Sequence, residues 1–281
     1  MKVIRTEADW KPIWTTIFKE GKSLGFVPTM GALHPGHISL IDLSKKRGLF
    51  TVCSIFVNPT QFNDQNDLKN YPRTPEKDLE MLKVAGCDAV FMPSVSEIYP
   101  KEDKRQFDFG HLDTILEGAH RPGHFLGVAK VVSILFNIVK PHIAFFGSKD
   151  YQQVMVIKEL VRQLNLPIEI VPCPIIREED GLAMSSRNMR LNAEERQAAK
   201  LLPTILQKAK NLKMTGSTLQ EIKTMVDDNL KGNSLYKLDY FEICDPNNLN
   251  LLNEVNPNTP SIALIACFVG QIRLIDNLPL Q

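Results

Sequence analysis

Cysteine is scarce in this sequence, and it is not arranged for cross-linking. Of 281 residues five are cysteine, at positions 53, 87, 173, 244 and 267, and no pair has C-x-x-C spacing. An odd count without a short spacing fits free, buried thiols in a reducing compartment, and excludes a disulfide framework or a zinc knuckle. An excess of one charge is also lacking: 33 basic side chains face 32 acidic ones, a formal net charge of +1. A chain-wide nucleic-acid surface is therefore excluded, and so is an acidic tail. No run approaches the ~18 apolar residues a membrane helix needs. The start M-K-V-I-R-T-E has no apolar core of the secretory kind. The expectation is a cytoplasmic protein with no nucleic-acid and no membrane partner.

Several catalytic signatures are missing too. Without G-x-x-x-x-G-K-[ST] the chain is not a P-loop enzyme, and no G-x-G-x-x-G follows its first strand-like run. No G-x-S-x-G supports a serine hydrolase, and no H-E-x-x-H or close Cys/His cluster supports zinc.

What is present is an ordinary globular composition, 43% hydrophobic and 23% charged. At ~150 residues per domain the length suggests about two domains. Strand-like and helix-like segments alternate. Residues 23–30, 50–57, 88–92, 142–146 and 168–171 read as short apolar strands, the second of them rich in β-branched and aromatic side chains. Between them, residues 37–47, a segment capped by Thr74 and opened by Pro75, residues 124–140 and residues 151–164 read as helices. This alternation predicts an α/β fold, a Rossmann-like parallel sheet with helices on both faces. After about residue 176 the rhythm changes. A helix over 193–212 starts at Asn192/Glu195 and is kinked by Pro203, and a second starts at Ser217/Gln220. Strand-like runs follow at 236–244 and 261–276, the latter turning at Gly270 and Gln271. The expected division is a nucleotide-binding catalytic domain over 1–176 and a smaller α+β C-terminal lid domain over 177–281.

In such folds ligands sit beyond the carboxyl ends of the strands. Four polar motifs fall there. P-T-M-G-A-L-H-P-G-H, residues 28–37, joins the first strand to the first helix and holds an H-x-G-H pattern. Its glycines allow close backbone approach, the helix start offers free N–H groups to an anion, and His34 and His37 can donate to phosphate oxygens. G-S-K-D, residues 147–150, supplies Lys149 as a point charge for a phosphate and Asp150 as a helix cap or a partner for ribose or magnesium-bound water. M-S-S-R, residues 184–187, brings two hydroxyls and a guanidinium that can wrap a triphosphate. N-P-T-Q-F, residues 58–62, with Gln153 in Y-Q-Q, offers amides that read hydroxyls and carboxylates without adding charge. His120 and His124 are separated by Pro122 and Gly123 and read as loop residues near the mouth of a site.

Together these motifs, with Y-P-R-T at 71–74 and R-P-G-H-F at 121–125, resemble the pantothenate synthetase (pantoate–β-alanine ligase) family of the nucleotidyltransferase superfamily. The resemblance spans residues 23–190. It implies condensation of (R)-pantoate with β-alanine to give pantothenate, AMP and pyrophosphate, through a pantoyl adenylate, with ATP and Mg2+ required and a homodimer usual. It implies ATP contacts from Met30, Gly31, Ala32, Leu33, His34, Pro35, Gly36 and His37, from Gly147, Ser148, Lys149 and Asp150, from Ile176, and from Met184, Ser185, Ser186 and Arg187. His37 is the residue usually designated proton donor, and His34, His37, Lys149 and Arg187 are the charge-stabilising set. Gln61 would hold pantoate and β-alanine, and Gln153 pantoate. Ser148 departs from the longer acidic or amide side chain expected there. Two other readings fit parts of the pattern: another H-x-G-H nucleotidyltransferase, which leaves the paired glutamines unexplained, and a nucleotide-binding protein without catalysis.

Overall fold

Parallel pairing runs through the whole of the first sheet. In the computed structural model, which describes residues 1–280, its strands are β1 (Lys2–Ile4), β2 (Leu24–Thr29), β3 (Phe50–Ile55), β4 (Ala89–Phe91), β5 (Ile143–Gly147) and β6 (Glu169–Cys173). Their spatial order is β1-β4-β3-β2-β5-β6. The helices between them are α1 (Glu7–Lys19), α2 (Pro35–Lys46), α3 (Gln65–Lys69), α4 (Pro75–Val84), α5 (Val95–Ile98), α6 (Leu116–His120), α7 (His124–Val139) and α8 (Tyr151–Gln163).

Side chains alternate across the sheet, and both faces are covered. Val27, Cys53, Val90 and Phe145 project to one face and pack with Ile41 of α2 and Leu82 of α4. Phe26 and Phe146 project to the other and meet Phe136 of α7, with ring centroids 6.3 and 6.4 Å apart. A strand buried on both faces needs apolar residues at successive positions, which is why these segments read as continuous apolar runs. The strand β1 and helix α1 escape a reading of apolar runs, because β1 is only three residues long and α1 buries just Trp10 and Ile17.

A second sheet is antiparallel: β7 (Tyr236–Cys244), β8 (Ile262–Val269) and β9 (Ile272–Pro279). Helices α9 (Ala193–Ala199), α10 (Leu201–Met214) and α11 (Leu219–Leu230) share its core, where Leu202, Ile205, Ile222 and Val226 pack with Phe241, Ile265 and Leu274. Two helices replace the single kinked one expected over 193–212. Pro203 has no N–H for the carbonyl of Ala199, and its ring crowds that carbonyl. The first helix therefore stops at Ala199, and Pro203 falls in the opening turn of the next, where the missing donor costs nothing. The start of α11 also shifts by one residue: Thr218 and Glu221 form the reciprocal cap, not Ser217 and Gln220.

The chain divides into two compact units. Met1–Ser148 with Gln153–Pro174 make the first; Lys149–Gln152 and residues from Ile175 onward make the second. Among the described residues no helix is long and apolar enough to cross a membrane.

Candidate active site

In the first unit the chain passes from β2 to β3 and β4 on one side, then returns to place β5 and β6 on the other. The β2/β5 neighbourhood is thus the switch point of the sheet, the usual ligand position in open parallel sheets. Loops leaving β2, β3 and β5 at their carboxyl ends carry residues 30–34, 56–61 and Ser148.

The first loop ends in α2. His34 is its N-cap with extended backbone, and Pro35 opens the first turn. The His34 N–H donates to Nδ1 of His37 at 3.3 Å, and the two rings lie 4.0 Å apart, centroid to centroid. With Nδ1 accepting, a neutral His37 carries its proton on Nε2 and is a donor at that atom. No acidic residue stands in the first turn of α2 to offset its positive end, which leaves the helix start suited to an anion.

Upstream, the backbone is tied inward. The Gly31 N–H donates to the Thr29 hydroxyl, which itself donates to the Ser54 carbonyl. The Ala32 and Leu33 N–H groups donate to Oδ2 and Oδ1 of Asp78, at 2.9 and 2.8 Å. Thr74 does not cap α4 with its side chain, as expected from sequence; its hydroxyl donates to Asp78 Oδ1 at 2.9 Å.

A second cradle forms behind Gln61. Asn58 Oδ1 accepts from the Tyr99 hydroxyl at 2.9 Å and from the Thr60 hydroxyl at 3.0 Å. Its Nδ2 donates to Gln61 Oε1 at 3.1 Å and to the Gly127 carbonyl. This orientation leaves Gln61 Nε2 as the donor end, and it donates to the Met30 sulfur at 3.2 Å. His124 is not a loop residue. It begins α7, is buried, and its Nδ1 lies 2.9 Å from the Gln61 carbonyl oxygen. His120 closes α6. A Cβ on Gly127 would stand 2.4 Å from the Thr60 carbonyl oxygen, so only glycine lets α7 pass this turn. A cavity of about 520 Å³ is lined by Thr60, Tyr99, Gly127 and Lys130 among others. Gln153 sits half-buried in the first turn of α8.

The second unit gathers the rest. Ile176 and Met184 face each other in a short hairpin, where the Met184 N–H donates to the Ile176 carbonyl at 3.0 Å and Arg177 bridges Ala183. Ser185 then caps a single 3-10 turn over Ser186–Arg190, accepting from the Arg187 N–H. Arg177 holds the hairpin to β9 through a bidentate pair with Asp276, at 2.7 and 3.0 Å, and Asp276 is 3% exposed. The neighbouring Asn277 donates from Nδ2 to the Lys149 carbonyl at 2.9 Å. Residues 276–277 therefore fix both Lys149 and the Ile176/Met184 hairpin. Arg196 adds contacts to Glu178 and Asp180, and its hydrogen bond holds the Asp180 carboxyl below the usual carboxylate range.

Sequence reasoning missed Asp78, Tyr99, Asp276 and Asn277, and it took Asn58 only as part of a motif. Each acts through a contact 41 to 128 residues away, with no local spacing to reveal it. The one hint was Thr74 with Pro75, which marked the helix start that delivers Asp78.

A switch-point loop with two imidazoles and an uncompensated helix start defines an α/β enzyme built to handle a phosphate-bearing ligand. The chain matches the family model described as pantoate-beta-alanine ligase over residues 2–279. It is 49% identical over 278 residues to the pantothenate synthetase of Bacteroides fragilis, covering 99% of this chain and 98% of that one. With the enzyme of the same name from Cytophaga hutchinsonii it shares 50% identity over 264 residues, 92% of each chain. Among solved structures, pantothenate synthetase from Thermus thermophilus superposes with a TM-score of 0.92 at 38% identity, covering 100% and 99% of the two chains. Pantoate-beta-alanine ligase from Francisella tularensis, solved with beta-gamma ATP and beta-alanine, gives 0.84 at 36% identity, covering 100% and 98%. The chain belongs to the pantoate-beta-alanine ligase family and joins pantoate to β-alanine.

Proposed function

We propose that the ligation runs in two steps through an acyl adenylate. The carboxylate of (R)-pantoate attacks the α-phosphorus of ATP; the bond to the β-phosphate oxygen breaks and pyrophosphate leaves. The neutral amine of β-alanine then attacks the pantoyl carbonyl, the bond to the AMP phosphate oxygen breaks, and the nitrogen gives up one proton to water or to the departing AMP, giving pantothenate. Neither step needs covalent help from protein; both need positioning and compensation of charge.

The observation that carries this reading is the His34 N–H bond to His37 Nδ1 at the start of α2. It makes His37 a donor at Nε2, suited to the phosphate charge that grows as the carboxylate attacks. A carboxylate nucleophile has no proton to lose, so His37 acts in the first step by hydrogen bonding and not by proton transfer. His34, Lys149 and Arg187 supply further donors, with Met30, Gly31, Ala32, Leu33, Pro35 and Gly36, Gly147, Ser148, Asp150, Ile176, Met184, Ser185 and Ser186 as the remaining ATP contacts. Gln61, whose Oε1 is engaged by Asn58 and whose Nε2 has only the weak acceptor Met30 Sδ, donates to pantoate and meets β-alanine; Gln153 completes the pantoate site.

Mg2+ supplies charge neutralisation on the triphosphate and usually keeps several waters. Asp150 is the one acidic side chain of the Ser148–Asp150 turn, which suits a single carboxylate or water-mediated contact to an ion carried by the phosphates. The C-terminal unit serves as the lid that keeps water from the adenylate. The enzyme works as a cytoplasmic homodimer, a state that light scattering measures directly.

The test is pyrophosphate release with ATP, Mg2+ and D-pantoate, with and without β-alanine. Sustained turnover only with β-alanine, with AMP as the nucleotide product, is expected. ADP in place of AMP refutes the adenylate route.

A further inference from the structure

Asp78 is a buried carboxylate that the reaction does not use. It is 1% exposed and, among the described residues, has no ion pair with a lysine, arginine or histidine. Burial of a carboxylate is costly unless donors replace its water. Here three do: the Ala32 and Leu33 N–H groups and the Thr74 hydroxyl.

Those donors lie where the backbone is unusual. Gly31 and Ala32 both have positive φ, 82° and 50°, and a run of two such residues turns the chain from β2 into α2. Glycine accepts this geometry; alanine resists it. The carboxylate also occupies the space beside Gly31, where a Cβ would stand 3.0 Å from its Oδ2 and 3.0 Å from Ile55 Cγ2. So the N–H groups of residues 32 and 33 point at Asp78 and not at a ligand. Their part in ATP binding is to set where His34 and the α2 start come to lie.

We propose that Asp78 is a positioning residue for the nucleotide loop: its carboxylate holds Ala32 in the left-handed conformation and so aims His34, His37 and the first turn of α2. This rests on the assignment of residues 30–37 to ATP. An asparagine is not equivalent. All three partners are donors, and an amide would set its NH2 group against one of them.

The experiment measures ATP affinity alone by calorimetry, steady-state kinetics for each substrate, and the thermal midpoint without ligand. For Asp78→Asn, the Kd and KM for ATP are expected to rise at least ~10-fold, with the KM for β-alanine within about twofold of wild type. A merely structural role lowers the active fraction, hence kcat, and leaves the KM for ATP in place; that outcome overturns the proposal. If Asp78→Asn does not fold, Thr74→Val decides. Removing one donor should raise the KM for ATP about threefold, and Thr74→Ser, which keeps the hydroxyl, should restore it. An unchanged KM for ATP in Thr74→Val, or failure of serine to restore a raised one, overturns the proposal. Wild-type turnover is the separate control. Absence of pantoate-dependent pyrophosphate release sinks the functional reading, while altered ATP binding in the variants still reports on the loop.

Discussion

The two units hold their polar loops by different chemistry. In the first, a lone carboxylate and a lone amide do it: Asp78 takes two backbone N–H groups, and Asn58 orders Tyr99, Thr60 and Gln61 around one side chain. In the second, guanidinium–carboxylate pairs hold the hairpin and the segment after it, Arg177 with Asp276 and Arg196 with Glu178 and Asp180, while an amide, Asn277, holds Lys149 alone. A hydrogen-bonded acceptor fixes the direction of its neighbours at short range and is screened little by salt. An ion pair spans separate elements, here hairpin to strand, but depends on charge on both partners. Fine aim belongs to the first unit and attachment to the second.

The sharpest way to break this comparison is at His37. His37→Ala removes the aimed donor, and kcat should fall roughly 10²–10³-fold with the fold intact, as for loss of one preorganised donor. Single-turnover pyrophosphate release checks it, and unchanged turnover would move the chemistry away from α2. Next comes the attachment. Arg177→Ala leaves the buried Asp276 carboxylate uncompensated and should cost about 3–5 kcal/mol, read by urea unfolding. Replacing both partners by apolar residues of similar size should cost far less, which separates the worth of the pair from the penalty of half a pair.

A smaller effect tests the amide cradle. Gly127→Ala puts a Cβ against the Thr60 carbonyl and should displace the turn bearing Gln61. The KM for pantoate should rise about tenfold while the KM for ATP moves less than about twofold. The smallest concerns pH. Asp180 titrates below its ordinary value because Arg196 hydrogen-bonds it. Its contribution is present above the unfolded carboxylate pKa of about 3.9 and is lost as pH falls through the folded value. Asp180→Asn should therefore be slightly less stable than wild type near pH 6, and the two should converge once the pH lies below the folded value. Thermal midpoints across that range, repeated at high salt, show whether the difference is electrostatic.

Where structure was local, it was legible. Asn192 and Glu195 cap α9 as their spacing says, and Gly270 and Gln271 turn β8 into β9. The motifs on the loops after β2, β3 and β5 were placed correctly because a parallel sheet puts such loops at one end. What stayed hidden depends on partners far along the chain. Thr74 looked like a cap because Pro75 follows it in a first helical turn, and only the fold shows that its hydroxyl goes to a carboxylate that also holds the loop at Ala32. Pro203 announced a kink, yet whether a helix bends or restarts depends on how the Ala199 carbonyl can be accommodated. Met184 and Ile176 were named separately through a family resemblance, and their pairing in one hairpin belongs to the fold.

The order of strands also bears on how the protein is made. At the switch point Gly25 pairs with Ile143 and Phe26 with Ala144, and the Leu24 N–H donates to the His142 ring across 118 residues of sequence. Such distant pairings are slow to form. During synthesis β2 and β3 emerge early and can pair, but the edge of β2 that frames the ligand position stays open until β5 has been translated. A nascent chain thus exposes an apolar strand edge for most of the first unit's synthesis, an aggregation hazard that ends with the same contact that completes the switch point.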